Sequence, residues 1–187
     1  MTPLIVAWQA WGLWLISWMI AARWSARIVG RPMFGSQTLY NLITFAGVAL
    51  LFTRFDSVRG LTGPLGWLMV GGVVAGFVFC WWARLHLGAM WSGTVTRKDD
   101  HHIVDTGPYS LVRHPIYTGL IVSALAQAVL VARLSAFAGA ALMALGFYVK
   151  ARLEESFLRQ ELGPEAYDAY RVRVPMLIPW KVGAASR

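Results

Sequence analysis

The stretch IYTGLIVSALAQAVLVARLSAFAGAALMALGFYV, residues 116–149, decides how this chain is built. It is 34 residues long and carries a single charge, Arg133. As one helix rising about 1.5 Å per residue it would run about 51 Å. That overshoots a bilayer hydrocarbon core of about 30 Å. A hairpin turning at Arg133 instead gives two helices of about 25 Å each, with the long arginine stem free to carry its guanidinium out to the interface.

Outward from this hairpin, three further charge-free intervals lie at 1–22, 32–53 and 60–83. Each reaches the roughly 20 apolar residues that a spanning helix needs. With 57% hydrophobic and only 14% charged residues, the chain lacks the polar surface to enclose a soluble core. The expected fold is an all-α integral membrane protein of about five transmembrane helices, with the C-terminal helical hairpin as its last two. The first interval is followed by Arg23 and Arg27 and closes on no Ala-x-Ala pattern, so it reads as a retained span rather than a signal peptide.

Of the 17 Lys and Arg, fourteen fall in 23–31, 84–113 and 150–187, which alternate with the segments on the opposite side. The positive-inside rule then predicts an N-terminus outside and a C-terminus in the cytoplasm. The same rule accounts for the net charge of +8, so no nucleic-acid partner is expected. Segments 84–113 and 150–187 hold 19 of the 26 charges. Residues 1–83 therefore read as a three-span scaffold, and 84–187, with spans four and five, as the functional region at the cytoplasmic face.

Trp8, Trp11, Trp14 and Trp18 share one helical face, which reads as a packing or interfacial stripe. Gly71, Gly72 and Gly76 predict close helix approach, because small residues let backbones meet in lipid. The lone Cys80 can form no disulfide within the chain and, between Phe79 and Trp81, reads as packing.

Chemistry concentrates in two places. Thr106-Gly107-Pro108-Tyr109 predicts a turn, after which Arg113-His114-Pro115 leads into the fourth span with Pro115 in its first turn. Tyr109, Arg113, His114, Tyr117 and Gly119 crowd an aromatic, a cation, an imidazole and a close backbone approach together, which suits a pocket for a polar ligand. The second cluster, Lys150, Arg152, Glu154 and Glu155, follows the fifth span. Lys150 and Glu154 are four apart on one helical face. Paired carboxylates at an apolar edge are costly unless a cation or ligand compensates them. The helix continues amphipathically through Leu153, Phe157, Leu158 and Leu162 to a stop at Gly163-Pro164. A short helix with Tyr167 and Tyr170 follows, and Tyr170-Arg171-Val172-Arg173-Val174-Pro175 returns the chain toward Met176-Leu177-Ile178-Pro179-Trp180 as a flap over the membrane.

Gly107-Pro108-Tyr109, Arg113 through Gly119, Glu154-Glu155 and Tyr167 through Pro175 resemble, in type, order and spacing, the isoprenylcysteine carboxyl methyltransferase family. The wider group includes phosphatidylethanolamine N-methyltransferases, small-thiol methyltransferases and NADPH-using sterol reductases. In the reductases an Arg-Asp pattern typically replaces the acidic pair, so Glu154-Glu155 favours a methyltransferase. The resemblance implies an S-adenosylmethionine pocket at the cytoplasmic ends of the last spans, with no soluble Rossmann domain and no metal. Its wall would be Thr94, the strand-like His101-His102-Ile103-Val104, Tyr109, His114, Pro115, Ile116 and Tyr117, and Glu154 would contact the cofactor. The family's substrate-binding arginine falls by strict spacing on Lys150, the nearest arginine is Arg152, and Arg173 is a further cation for the acceptor. Glu155 would take a proton from an amine acceptor. The implied function is methylation of a lipid-like or prenylated acceptor admitted from the bilayer. Phospholipid or small-thiol methylation, a sterol-type reductase and a non-enzymatic membrane protein are the alternatives.

Overall fold

A computed structural model describes residues 1–24, 28–30, 34–53, 60–88, 97–98 and 103–180. Its α-helices are α1 (Pro3–Ala21), α2 (Phe34–Phe52), α3 (Gly63–Leu87), α4 (Pro115–Val131), α5 (Leu134–Leu162) and α6 (Pro164–Arg173). Two short strands, β1 (Ile28–Gly30) and β2 (Arg97–Lys98), pair antiparallel. Prolines open α1, α3, α4 and α6, where the missing N–H would have had no partner in any case.

The hairpin falls where the sequence puts it. Ala132 caps α4 in the left-handed region, and Arg133 begins α5 from an extended conformation. The relative lengths differ from expectation. Among the described residues, Pro3–Ala21, Gly63–Leu87 and Leu134–Glu161 are long and apolar enough to cross a membrane, α2 has the same 19 residues as α1, and Pro115–Val131 is a shorter apolar helix. The last interval was expected to give a short helix. It gives the longest one, because α5 continues without a break through Lys150, Glu154 and Glu155 to Leu162. A charge-free interval measures apolarity, and a helix ends only at a stop signal.

The helices alternate in direction. Against α5, α2 runs antiparallel: a Cβ on Gly47 would meet the Gly139 carbonyl and the Met143 nitrogen at 2.7 Å, and Gly146 abuts Thr44. On the other side α3 and α4 approach equally closely, with Gly76 against Gly119 and Ser123. The Cys80 thiol donates to the Ile116 carbonyl at 3.3 Å, and the Ser123 hydroxyl to that of Val73 at 2.9 Å. Of the three glycines expected to make close approaches, Gly72 lies near Ala126 and Gly76 near Gly119, but a side chain on Gly71 would meet nothing within 4 Å. One residue is about 100° of helix, enough to turn Gly71 out of the contact.

The tryptophan stripe fixes α1 parallel to α3. Trp11 meets Phe77 edge-on at 4.8 Å, Trp14 stacks on Phe77 at 5.2 Å, and Trp18 meets Trp81 at 5.7 Å. Buried Arg84 then donates to the Ala21 carbonyl at 2.8 Å, joining the last turns of both helices. One end of the bundle thus gathers the end of α1, the start of α2, the end of α3, the start of α4 and the Lys150 turn of α5.

Candidate functional site

At that end, Gly107–Ser110 form a 3₁₀ turn seated on the last turns of α3. Gly107 has φ of 56°, and a Cβ there would strike the His86 ring at 2.8 Å. His86 bonds Thr106 at 2.8 Å and stacks over Tyr109. Ile103 and Val104, expected as part of a strand, lie in irregular chain, so the close turn rather than strand pairing delivers Tyr109 and Arg113. Thr94, His101 and His102 lie outside the described residues.

The returning segment docks on the start of α4. The backbone N–H groups of Arg113 and His114 donate to the carbonyls of Pro175 (2.9 Å) and Met176 (3.1 Å). The Thr118 hydroxyl donates to the Leu177 carbonyl at 2.7 Å. Tyr167, Tyr170 and Val174 form a small buried cluster with Ile103 and Leu158, and the Tyr170 hydroxyl donates to the Tyr109 carbonyl at 2.8 Å. The expected flap is therefore a docked element of the site.

Between these layers sits a network of two carboxylates. Glu155 accepts from Arg113 Nε at 2.8 Å and lies 3.2 Å from His114 Nε2, with Arg171 Nε 3.6 Å away. Glu154 accepts the Tyr117 hydroxyl at 2.6 Å and lies 3.5 Å from His114 Nδ1. His114 thus bridges both acids, one per ring nitrogen. Burial pushes this imidazole's pKa down, but hydrogen bonds and charge from Glu154 and Glu155 outweigh burial and hold it above the ordinary value. His114, Tyr117 and Phe147 stack in sequence at 5.4 and 5.2 Å. The Lys150 ammonium sits 5.2 Å from the Tyr117 ring centre and 5.5 Å from that of Tyr40, a cation–π arrangement between two rings.

Of the expected site residues, His114, Tyr117, Lys150, Glu154 and Glu155 meet here, and Tyr109 is linked through Tyr170. Pro115 and Ile116 are buried in the first turn of α4, and Val104 packs on the main core. Arg152 is exposed and faces Tyr148 at 3.5 Å. Arg173 is exposed and pairs with Asp105 at 3.1 Å. Arg113, expected as the cation of a polar-ligand pocket but given no part in the cofactor wall, joins the site, and Tyr40 was not expected at all. Arg113 carried a signal, a cation directly before His-Pro at an apolar edge. Tyr40 carried none, because only the antiparallel packing of α2 on α5 brings it to Lys150.

The sequence pattern of the isoprenylcysteine carboxyl methyltransferase family matches residues 67–160, half of the chain. A protein-S-isoprenylcysteine O-methyltransferase of Schizosaccharomyces pombe is 31% identical over 167 residues, covering 84% of this chain and 67% of the relative. The chain belongs to that family. Arabidopsis thaliana protein-S-isoprenylcysteine O-methyltransferase B is 33% identical over 87 residues, 46% of this chain and 44% of the relative. Methanethiol S-methyltransferase 1 of Bradyrhizobium diazoefficiens is 44% identical over 73 residues, 39% of this chain. The chain thus spans 25% of the length of the methanethiol enzyme and less than half of the Arabidopsis one. The family match takes in Arg113, His114, Tyr117, Lys150 and both glutamates, whereas α6 and Tyr40 lie outside it. Membership and the apolar helices together make this an integral membrane protein.

Proposed function

We propose that the protein is an S-adenosylmethionine-dependent membrane methyltransferase acting on a lipid-like or prenylated acceptor with an anionic head. One observation carries the reading: two adjacent glutamates are held at the apolar end of a bundle, and their surroundings differ. Glu155 is enclosed, its side chain 6% exposed, and engaged by Arg113 and His114. Glu154, fixed by Tyr117, keeps 17% of its side chain exposed. A partly open, oriented carboxylate fits a cofactor that carries a sulfonium and an ammonium.

When bound, S-adenosylmethionine supplies a methyl carbon to which an acceptor lone pair forms a bond as the carbon–sulfur bond breaks, leaving a neutral thioether. The protein's own part is alignment and exclusion of water. Tyr117 and His114 hold Glu154, the docked segment Pro175–Leu177 covers the start of α4, and Lys150 offers positive charge to an anionic acceptor. Five spans with the N-terminus outside and this site at the cytoplasmic face complete the reading, supported by the alternating helix directions and the basic segments. On this view residues 1–83 scaffold the region 84–187. Exposed Arg152 and Arg173 play no direct part.

A small-thiol acceptor is the second reading, favoured by the 44% identity to the methanethiol enzyme and by Lys150, which lacks the planar fork that grips a carboxylate. Calorimetry of S-adenosylmethionine on the detergent-purified protein, beside NADPH and a Glu154→Ala variant, tests the proposal. Binding that disappears in the variant supports it. Binding of NADPH alone, or of neither, overturns it.

A further inference from the structure

Tyr40 stands in α2, well inside the region that reads as scaffold. It is 2% exposed, and its hydroxyl has no hydrogen-bond partner among the described residues. Leaving a buried hydroxyl unsatisfied is costly. Buried tyrosine hydroxyls ordinarily find a partner. This one sits in a polar neighbourhood: Lys150 Nζ lies 5.5 Å from its ring centre and 5.2 Å from that of Tyr117, whose hydroxyl holds Glu154.

The neighbours do not use it. Glu154 takes the Tyr117 hydroxyl as its donor at 2.6 Å, and His114 lies on its other oxygen at 3.5 Å. The Tyr40 hydroxyl adds an unused O–H donor to a cluster that holds the Lys150 ammonium, and a donor together with a cation suits an anion. A carboxylate fits better than a single-atom nucleophile. It has one oxygen to accept hydrogen bonds and another to react, whereas a thiolate sulfur tied up by donors loses the electron density with which it attacks.

Resting on the proposed methyltransferase reading, we infer that Tyr40 is an acceptor-positioning residue whose hydroxyl, beside Lys150, binds the carboxylate head of the substrate. The antiparallel packing of α2 on α5 makes this possible. Gly47 against Gly139 and Gly146 against Thr44 let the two backbones approach, and that closeness brings Tyr40 to Lys150 one turn beyond the Thr44–Gly146 contact.

The test uses full-length Tyr40→Phe protein, which loses only the hydroxyl, beside wild type in detergent. Three titrations are made: S-adenosylmethionine, N-acetyl-S-farnesylcysteine as the carboxylate probe, and its neutral carboxamide. A hydrogen bond to a charged group predicts that the variant binds the carboxylate about tenfold or more weakly. Binding of the carboxamide and of S-adenosylmethionine, and the unfolding temperature, should hold within about twofold and about 2 °C. Equal weakening of carboxylate and carboxamide would assign Tyr40 a merely structural role and overturn the inference, as would unchanged carboxylate binding. If wild type binds S-adenosylmethionine but no carboxylate probe, the inference also falls while the methyltransferase reading stands. If wild type binds no S-adenosylmethionine, that reading itself has failed.

Discussion

Arg113 and Glu155, 42 residues apart in sequence, meet at 2.8 Å with side chains only 8% and 6% exposed. The pair closes the α4–α5 hairpin at the end opposite its Arg133 turn. The same guanidinium donates through Nη1 to the carbonyls of Arg171 (3.1 Å) and Val174, at the C-terminus of α6. One cation therefore joins the start of α4, the acidic turn of α5 and the end of α6, where helix carbonyls lack intrahelical partners.

Arg113→Met should lower stability by about 3–5 kcal/mol, since removing one partner leaves a buried charge uncompensated. Arg113→Lys should fall between the two, because a single ammonium cannot serve a carboxylate and two carbonyls in divergent directions. Thermal unfolding in detergent gives the ranking. Limited proteolysis should show new cleavage near Gly163 in Arg113→Met before the bundle is cut, and an uncut C-terminus would contradict the latch.

His114 makes stability depend on pH. Its folded pKa is raised by Glu154 and Glu155 against the opposing effect of burial. Its contribution is therefore fully present below the unfolded value of about 6.5 and is lost as pH rises through the higher folded value. The unfolding temperature of wild type should fall relative to that of His114→Gln as pH rises above about 6.5. A difference constant with pH would mean that His114 holds its place as a neutral ring.

Much of this arrangement is legible in the sequence because it rests on local rules. A 34-residue apolar run cannot be one span, so a hairpin at Arg133 follows. Gly163-Pro164 stops α5, and the chain beyond the tyrosine-bearing helix folds back onto the start of α4. Lys150, Glu154 and Glu155 announce themselves as charges beside apolar sequence. Tyr40 does not, because nothing in α2 states which helix it will pack against. That choice is made by Gly47, Gly139 and Gly146, whose fit appears only once both backbones are in place. The cationic roles were the least legible. Arg113, Arg152 and Arg173 differ little as letters, yet the first is buried against Glu155 while the other two face outward.

Tyr117→Phe removes the 2.6 Å hydrogen bond that orients Glu154 and leaves the ring stack on His114 and Phe147 intact. The loss of a hydrogen bond to a charged group, about 1.5–3 kcal/mol, should appear as S-adenosylmethionine binding weakened by about tenfold or more. Arg152→Ala, on the exposed face, should leave that affinity unchanged. Calorimetry on the two variants separates a Glu154 that needs its hydroxyl partner from one positioned by the helix alone.

Gly47 and Gly71 test whether close approach, rather than glycine itself, builds the bundle. A Cβ at Gly47 would sit 2.7 Å from two backbone atoms of α5, which cannot swing aside as a side chain would. Gly47→Ala should therefore destabilise by about 1–3 kcal/mol, the usual range for overpacking a filled interface. At Gly71 a Cβ would meet nothing within 4 Å. There Gly71→Ala should be neutral or stabilise by up to about 1 kcal/mol, since alanine costs less backbone entropy in a helix. Unfolding temperatures of both variants decide between the two accounts. Because prying α2 from α5 also moves Tyr40 from Lys150, Gly47→Ala should weaken binding of the farnesylcysteine carboxylate more than it weakens S-adenosylmethionine. Equal loss of both ligands would mean that α2 supports the whole site rather than the acceptor side.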